Sequence, residues 1–149
     1  MKYTDQFIET CFGFEEGNKL RYAFGAALYH AEEIMGKIVV LYGGPATGKS
    51  SILEHFQYFT YDDRKIMVSH DFNLKRIKEL WLSNDEVMFL ATNELPESSL
   101  SDHIIVINTS GNRMPLEDWK KFKQEMEYCP EDFFRSCMQY YTIDLWTLS

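Results

Sequence analysis

The run Gly43-Gly44-Pro45-Ala46-Thr47-Gly48-Lys49-Ser50 matches the spacing G-x-x-x-x-G-K-[ST]. The chemistry of that spacing is anion binding. Consecutive backbone N–H groups of such a loop turn inward around a phosphate, and the positive end of a following helix adds to their field. Gly43, Gly44, Pro45, Ala46, Thr47, Gly48, Lys49, Ser50 and Ser51 are therefore the candidate phosphate cradle. Lys49 would reach the β- and γ-phosphates, and the Ser50 hydroxyl would ligate Mg²⁺. ATP with Mg²⁺ is the ligand pair this pattern implies. A glycine turn that binds nothing is the alternative. The flanks weigh against it, because an apolar β-branched run, Lys37 to Tyr42, precedes the loop and a helical pattern, Ile52, Leu53 and Phe56, follows it.

Hydrolysis asks for more than a cradle. It needs an acid to hold the metal's water shell and a polar group to orient the attacking water. In an open parallel sheet both belong at the carboxyl ends of strands. Asp71, just past Ile66-Met67-Val68, is the candidate metal-side acid; its other reading is an N-cap for a helix beginning near Phe72. Asn93 closes the next apolar run and is the candidate water-orienting group, or else a turn residue before Pro96. Arg113 follows a fourth apolar run on a loop. From there a guanidinium could reach a γ-phosphate across a subunit boundary, or simply face solvent. Lys75, Arg76 and Lys78 form a small basic cluster that reads better as a solvated helix face than as a phosphate contact. Asp62 and Asp63 read as turn acids, and His30 as a histidine packed near an apolar helix face.

These groups need a frame. A short helix is expected from Asp5 toward a glycine-rich turn at Gly17, then a helix from about Lys19, capped by Asn18, to Met35, stopped by Gly36. Lys65 to Ser69, Val87 to Thr92 and Ile104 to Ile107 read as further strands. Leu74, Ile77 and Trp81 mark a helix between the first two. Leu116 to Tyr128 reads as a helix with Trp119, Phe122 and Met126 on one face. Pro130-Glu131-Asp132 opens the last helix. Strands alternating with helices predict an α/β fold: a parallel sheet of four to five strands with helices on both faces and a helical N-terminal lead-in. The expected organisation is one domain over 1–149, with the lead-in at 1–36, the phosphate-loop core at 37–114 and C-terminal helices at 115–149.

Composition bounds the function. At 149 residues and 45% hydrophobic, the chain is long enough to bury a core as one domain. A net charge of -8 argues against a general nucleic-acid binder, because nothing drives broad counterion release. Cys11, Cys129 and Cys137 are odd in number and lack C-x-x-C spacing, so they read as reduced, mostly buried thiols. No leader, long apolar run or lipidation signal is visible, which predicts a cytoplasmic or nuclear protein, neither secreted nor membrane-bound.

The chain resembles the superfamily 3 helicase domain of viral and phage replication proteins, a branch of the AAA+ ATPases. Gly44-Pro45-Ala46-Thr47-Gly48-Lys49-Ser50 is similar to the parvovirus-type phosphate loop, and Phe24-Gly25-Ala26-Ala27-Leu28 to the lead-in of phage and plasmid primase-helicases. Phe89-Leu90-Ala91-Thr92-Asn93-Glu94-Leu95-Pro96 is similar to that family's motif C, a strand ending in asparagine with a proline beyond. The resemblance implies a sensor role for Asn93, an arginine-finger region around Arg113, and a homo-oligomeric ring, such as a hexamer. It also implies single-stranded DNA or a replication protein as partner. Two departures stand beside it. Asp71 has no second acid next to it, leaving Glu94 as the acid that could stand in as base. The interval from Asp71 to Asn93 has little room for a DNA-gripping hairpin. The expectation is thus an ATPase of viral or phage type linked to DNA replication, with unwinding by this chain alone in doubt. The alternatives are a nucleotide-dependent interaction module and a small-molecule kinase. A kinase usually carries an arginine-rich lid, whereas the five arginines here are scattered.

Overall fold

The computed structural model describes residues 2–45, 47–69, 85–94 and 103–148, with side chains through Ile143. Among the described residues nine elements follow in order: α1 (Lys2–Cys11), α2 (Phe14–Leu28), β1 (Ile38–Tyr42), α3 (Lys49–Phe59), β2 (Ile66–Ser69), β3 (Val87–Thr92), β4 (Ile104–Asn108), α4 (Leu116–Tyr128) and α5 (Pro130–Leu148). The four described strands form one sheet in the order β2-β3-β1-β4, every pair parallel. The fold is α/β, as the alternation of apolar runs and helical patterns predicts.

Runs of Ile, Val and Leu make these strands because both faces of a parallel sheet are buried. Val39, Leu41, Phe89 and Ile107 face a core shared with the helices, and Ile38, Val40, Met88 and Leu90 form a second buried cluster on the opposite face. The helix expected around Leu74 to Trp81 lies outside the described residues. On the first face, Phe24 of α2 meets Phe56 of α3 at 4.3 Å and Phe89 of β3 at 5.4 Å between ring centroids. Helix α5 seals that layer. Its backbone comes so close to α2 that a Cβ on Gly25 would stand 2.2 Å from the Cys137 carbonyl oxygen. Helices α1 and α4 pair through Phe7 and Phe122, stacked at 4.0 Å with their planes 3° apart. Lead-in, core and C-terminal helices therefore share one apolar cluster.

The lead-in differs from the sequence reading. Helix α2 opens at Phe14, ahead of Asn18, with Glu15 and Glu16 in its first turn. Two acids at the positive helix end favour that start. Gly17 is thus helical, lying against Ile8 of α1. The helix ends at Leu28 rather than Met35, and His30 takes a positive φ of 52° in the turn that follows. His30 is also exposed, its Nε2 lying 2.6 Å from Asp63 Oδ2. Asp63, read as a solvated turn acid, accepts both that contact and the Lys65 N–H at 3.0 Å. Strand β3 and helix α4 keep the limits read from their patterns.

Candidate functional site

Parallel register brings the carboxyl ends of three strands flush: Tyr42 of β1 pairs with Thr92 of β3 and with Asn108 of β4. The chain leaves β1 still tied to both neighbours. The Gly43 N–H donates to the Thr92 carbonyl at 3.3 Å, and the Thr109 N–H donates to the Tyr42 carbonyl at 2.8 Å. A Cβ on Gly43 would fall 1.8 Å from Thr109 Oγ1, so this step of the loop admits no side chain.

Gly48 turns the chain into α3 with φ +90°, a left-handed conformation that L side chains rarely adopt. A Cβ there would also meet Phe7 Cζ at 2.6 Å. Helix α3 then begins at Lys49 with no side-chain cap. Its first N–H groups and the positive end of its dipole remain open to an anion.

Lys49 is buried, with its ammonium enclosed by oxygen. Nζ donates to the Gly43 carbonyl at 2.5 Å, the Gly44 carbonyl at 2.6 Å and Asn93 Oδ1 at 2.8 Å. Its three N–H groups thus have three close acceptors, with Thr47 Oγ1 a fourth at 3.5 Å. Burial holds the Lys49 pKa below the ordinary lysine value. An anion placed beside it would act in the opposite sense. The Thr47 hydroxyl donates to the Gly44 carbonyl at 2.8 Å, tightening the loop from within.

Asn93 reaches Lys49 because β3 is the strand next to β1. The Glu94 N–H donates to Thr92 Oγ1 at 3.0 Å, which turns the chain at the end of β3. Between loop and turn lies a cleft of about 500 Å³. Pro45, Thr47, Gly48, Lys49, Ser50 and Ser51 form one wall, and Ala91, Thr92, Asn93 and Glu94 the other. Ser50 is exposed in the first turn of α3. Glu94 is the one carboxylate on the described walls. Among the described residues no group of three or more His, Cys, Asp or Glu side chains could by itself hold a metal ion. Ala46 and Asp71, both expected at this site, lie outside the described residues, as do Lys75, Arg76 and Lys78. Strand β2, which precedes Asp71, is separated from β1 by β3.

Arg113 belongs to a second cleft. The loop after β4 is pinned to the end of α1: the Ser110 N–H donates to the Cys11 carbonyl at 2.7 Å, and the Ser110 hydroxyl to the Thr10 carbonyl at 2.6 Å. Beyond that anchor, Arg113 is exposed beside a space of about 540 Å³. Phe7, Cys11, Met114, Leu116 and Trp119 line it, together with Gly48 and Ser51 of the same chain. Sequence reasoning missed these apolar residues as site residues. They come from separate segments, and Trp119 has the helical spacing of a core residue.

All three cysteines are free thiols, Cys11 and Cys137 buried and Cys129 half-buried. Burial pushes the Cys11 and Cys137 thiols up, away from the thiolate form a nucleophile needs. Among the described residues no helix is long and apolar enough to cross a membrane. Comparison with protein-family models, with curated proteins and with solved structures gave no match.

Proposed function

We propose that this chain binds a nucleoside triphosphate, with ATP as the reference ligand, at the 43–51 loop and hydrolyses it. The observation that carries the reading is the contact of Lys49 Nζ with Asn93 Oδ1 at 2.8 Å, at the uncapped start of α3. It joins the phosphate-loop cation to the polar residue ending the neighbouring strand. Phosphoryl transfer to water is mostly positioning and charge stabilisation, so a cation and a water-orienting amide on one cleft are the required parts.

On this reading the α3 N–H groups and Lys49 hold the phosphate chain, Lys49 exchanging loop carbonyls for phosphate oxygens. Asn93 orients the water that attacks the γ-phosphorus. The new bond is water oxygen to phosphorus; the broken one joins phosphorus to the β–γ bridging oxygen, which leaves with ADP. Glu94 accepts the water's proton. Ser50 is the described hard oxygen donor suited to Mg²⁺, which takes few protein ligands alongside phosphate oxygens and water. When bound, the ion would neutralise charge on the β- and γ-phosphates.

Calorimetric titration with MgATP and a phosphate-release assay, each on wild type and Lys49→Ala, test the proposal. Binding and turnover should both be lost in the variant. ATP binding unchanged by Lys49→Ala would end this reading. Coupling of turnover to DNA replication or to a ring of subunits is supported by the resemblance alone. Stimulation by single-stranded DNA and a mass increase with ATP are its tests.

A further inference from the structure

Gly48 and Ser51 line both clefts, so the first turn of α3 is a wall common to them. A phosphate chain ending at Lys49, Asn93 and Glu94 enters that wall from one side. A group attached to that phosphate chain can pass Ser51, which lines both clefts, into the second. There the chemistry changes. The first cleft is lined mainly by hydroxyl, amide and charged groups. The second is walled by Phe7, Met114, Leu116 and Trp119, with Arg113 the one charged side chain among its described lining. Leu116 is 64% exposed on this rim although it is a large apolar residue. The Trp119 ring is half-buried, with the Lys123 ammonium 4.8 Å from its centroid. A volume of about 540 Å³ with apolar walls and one or two polar groups suits a small planar ligand.

We propose that this second cleft is the nucleoside subsite: the base packs against Trp119, Leu116 and Met114, and Arg113 donates to the ribose or the α-phosphate within its own chain. The inference rests on reading the 43–51 loop as the phosphate site, and it adds that one chain holds the whole nucleotide. A guanidinium has donors only, which matches the oxygens at the junction of sugar and phosphate. Base contact with an aromatic ring depends on the π face that every base has.

The test compares ATP with inorganic tripolyphosphate, which has the phosphate chain but no nucleoside. Calorimetry with both probes and Mg²⁺ would be run on wild type, Trp119→Ala, Trp119→Phe, Leu116→Ala and Lys49→Ala. Wild type should bind ATP at least about tenfold tighter than tripolyphosphate. Trp119→Ala should weaken ATP by about 5- to 100-fold, the range of single base–aromatic contacts, and leave tripolyphosphate unchanged. Trp119→Phe should keep most of the ATP affinity. Leu116→Ala should narrow the gap with no effect on folding, since that side chain is mostly exposed. Equal binding of the two probes, both lost in Lys49→Ala, would overturn the nucleoside subsite and leave the loop reading standing. So would a gap that neither Trp119→Ala nor Leu116→Ala changes. Binding of both probes that ignores Lys49→Ala would overturn both proposals.

Discussion

Lys49 and Asn93 are 44 residues apart in the chain, yet their side chains meet at 2.8 Å, with Asn93 accepting from the buried ammonium. Neither residue's local sequence requires the contact. It follows from β3 lying beside β1 in flush register, so that Asn93 emerges where the 43–51 loop closes. The pair can therefore be tested as a unit.

Asn93→Ala removes one acceptor from Lys49 and leaves the two loop carbonyls and the longer contact to Thr47 Oγ1. MgATP affinity should stay within about threefold while kcat falls about 10- to 100-fold, because the amide acts on the attacking water more than on the bound phosphates. Steady-state kinetics beside calorimetry separates the two effects. Wild-type kcat in this variant would remove Asn93 from the mechanism.

Nucleotide affinity should depend on alkaline pH through Lys49. Burial lowers its pKa in the free protein, and bound phosphate would raise it again. Binding then takes up a proton between the two values. Affinity is complete below the free-protein pKa and falls as pH rises through it, starting earlier than an ordinary lysine would allow. Lys49→Arg, always charged, should show a flatter profile even where its affinity is weaker. Parallel profiles for the two proteins would contradict the assignment.

Two glycines should fail in different ways when replaced by alanine. Gly25→Ala drives a Cβ to within 2.2 Å of the Cys137 carbonyl and forces α2 and α5 apart. Overpacking of this kind costs about 1–3 kcal/mol, read as a lower Tm, with ATP affinity of the folded fraction unchanged. Gly48→Ala imposes a left-handed φ on a residue with a side chain, a cost of about 1–2 kcal/mol, and pushes on Phe7. It should lose nucleotide affinity as well as stability, because the start of α3 moves.

Base discrimination should be weak. The described lining of the second cleft has no carboxylate or amide side chain to read a base edge, and its one guanidinium, Arg113, is assigned to the ribose or α-phosphate, not to a base. GTP should bind within about fivefold of ATP, since apolar stacking is nearly indifferent to the base. A preference for GTP beyond about 100-fold, measured by competition, would move Arg113 from the ribose or α-phosphate to the guanine edge, the bidentate contact a guanidinium can make.

Arg113 lines a cleft of its own chain with Gly48 and Ser51. Mixing Arg113→Ala with Lys49→Ala protein should therefore give no activity beyond the sum of the two. Recovery in the mixture would place Arg113 across a subunit boundary, the role the helicase resemblance implies.

The local parts of this protein were legible because their causes are local. A strand of β-branched residues, a glycine-rich turn and an apolar helix stripe are contiguous, and each reports its own backbone preference. The limits of β3 and α4 could accordingly be read from periodicity and flanking residues. Helix α2 was misread because its start turns on the two glutamates after Gly13, its glycine at position 17 lies against Ile8, and its end is a turn at His30. Asn93 was named from the end of an apolar run, but its contact with Lys49 was settled by strand order, which side-chain alternation does not encode. The second cleft was invisible in the sequence. It gathers Phe7, Ser51, Arg113 and Trp119 from four separate segments through the stacking of α1 on α4 and the pinning of the Ser110 loop to α1. Residue spacing reports what one element does along its own axis. Which elements meet is decided by burial of the shared Phe24 and Phe7 core, a property of the whole chain.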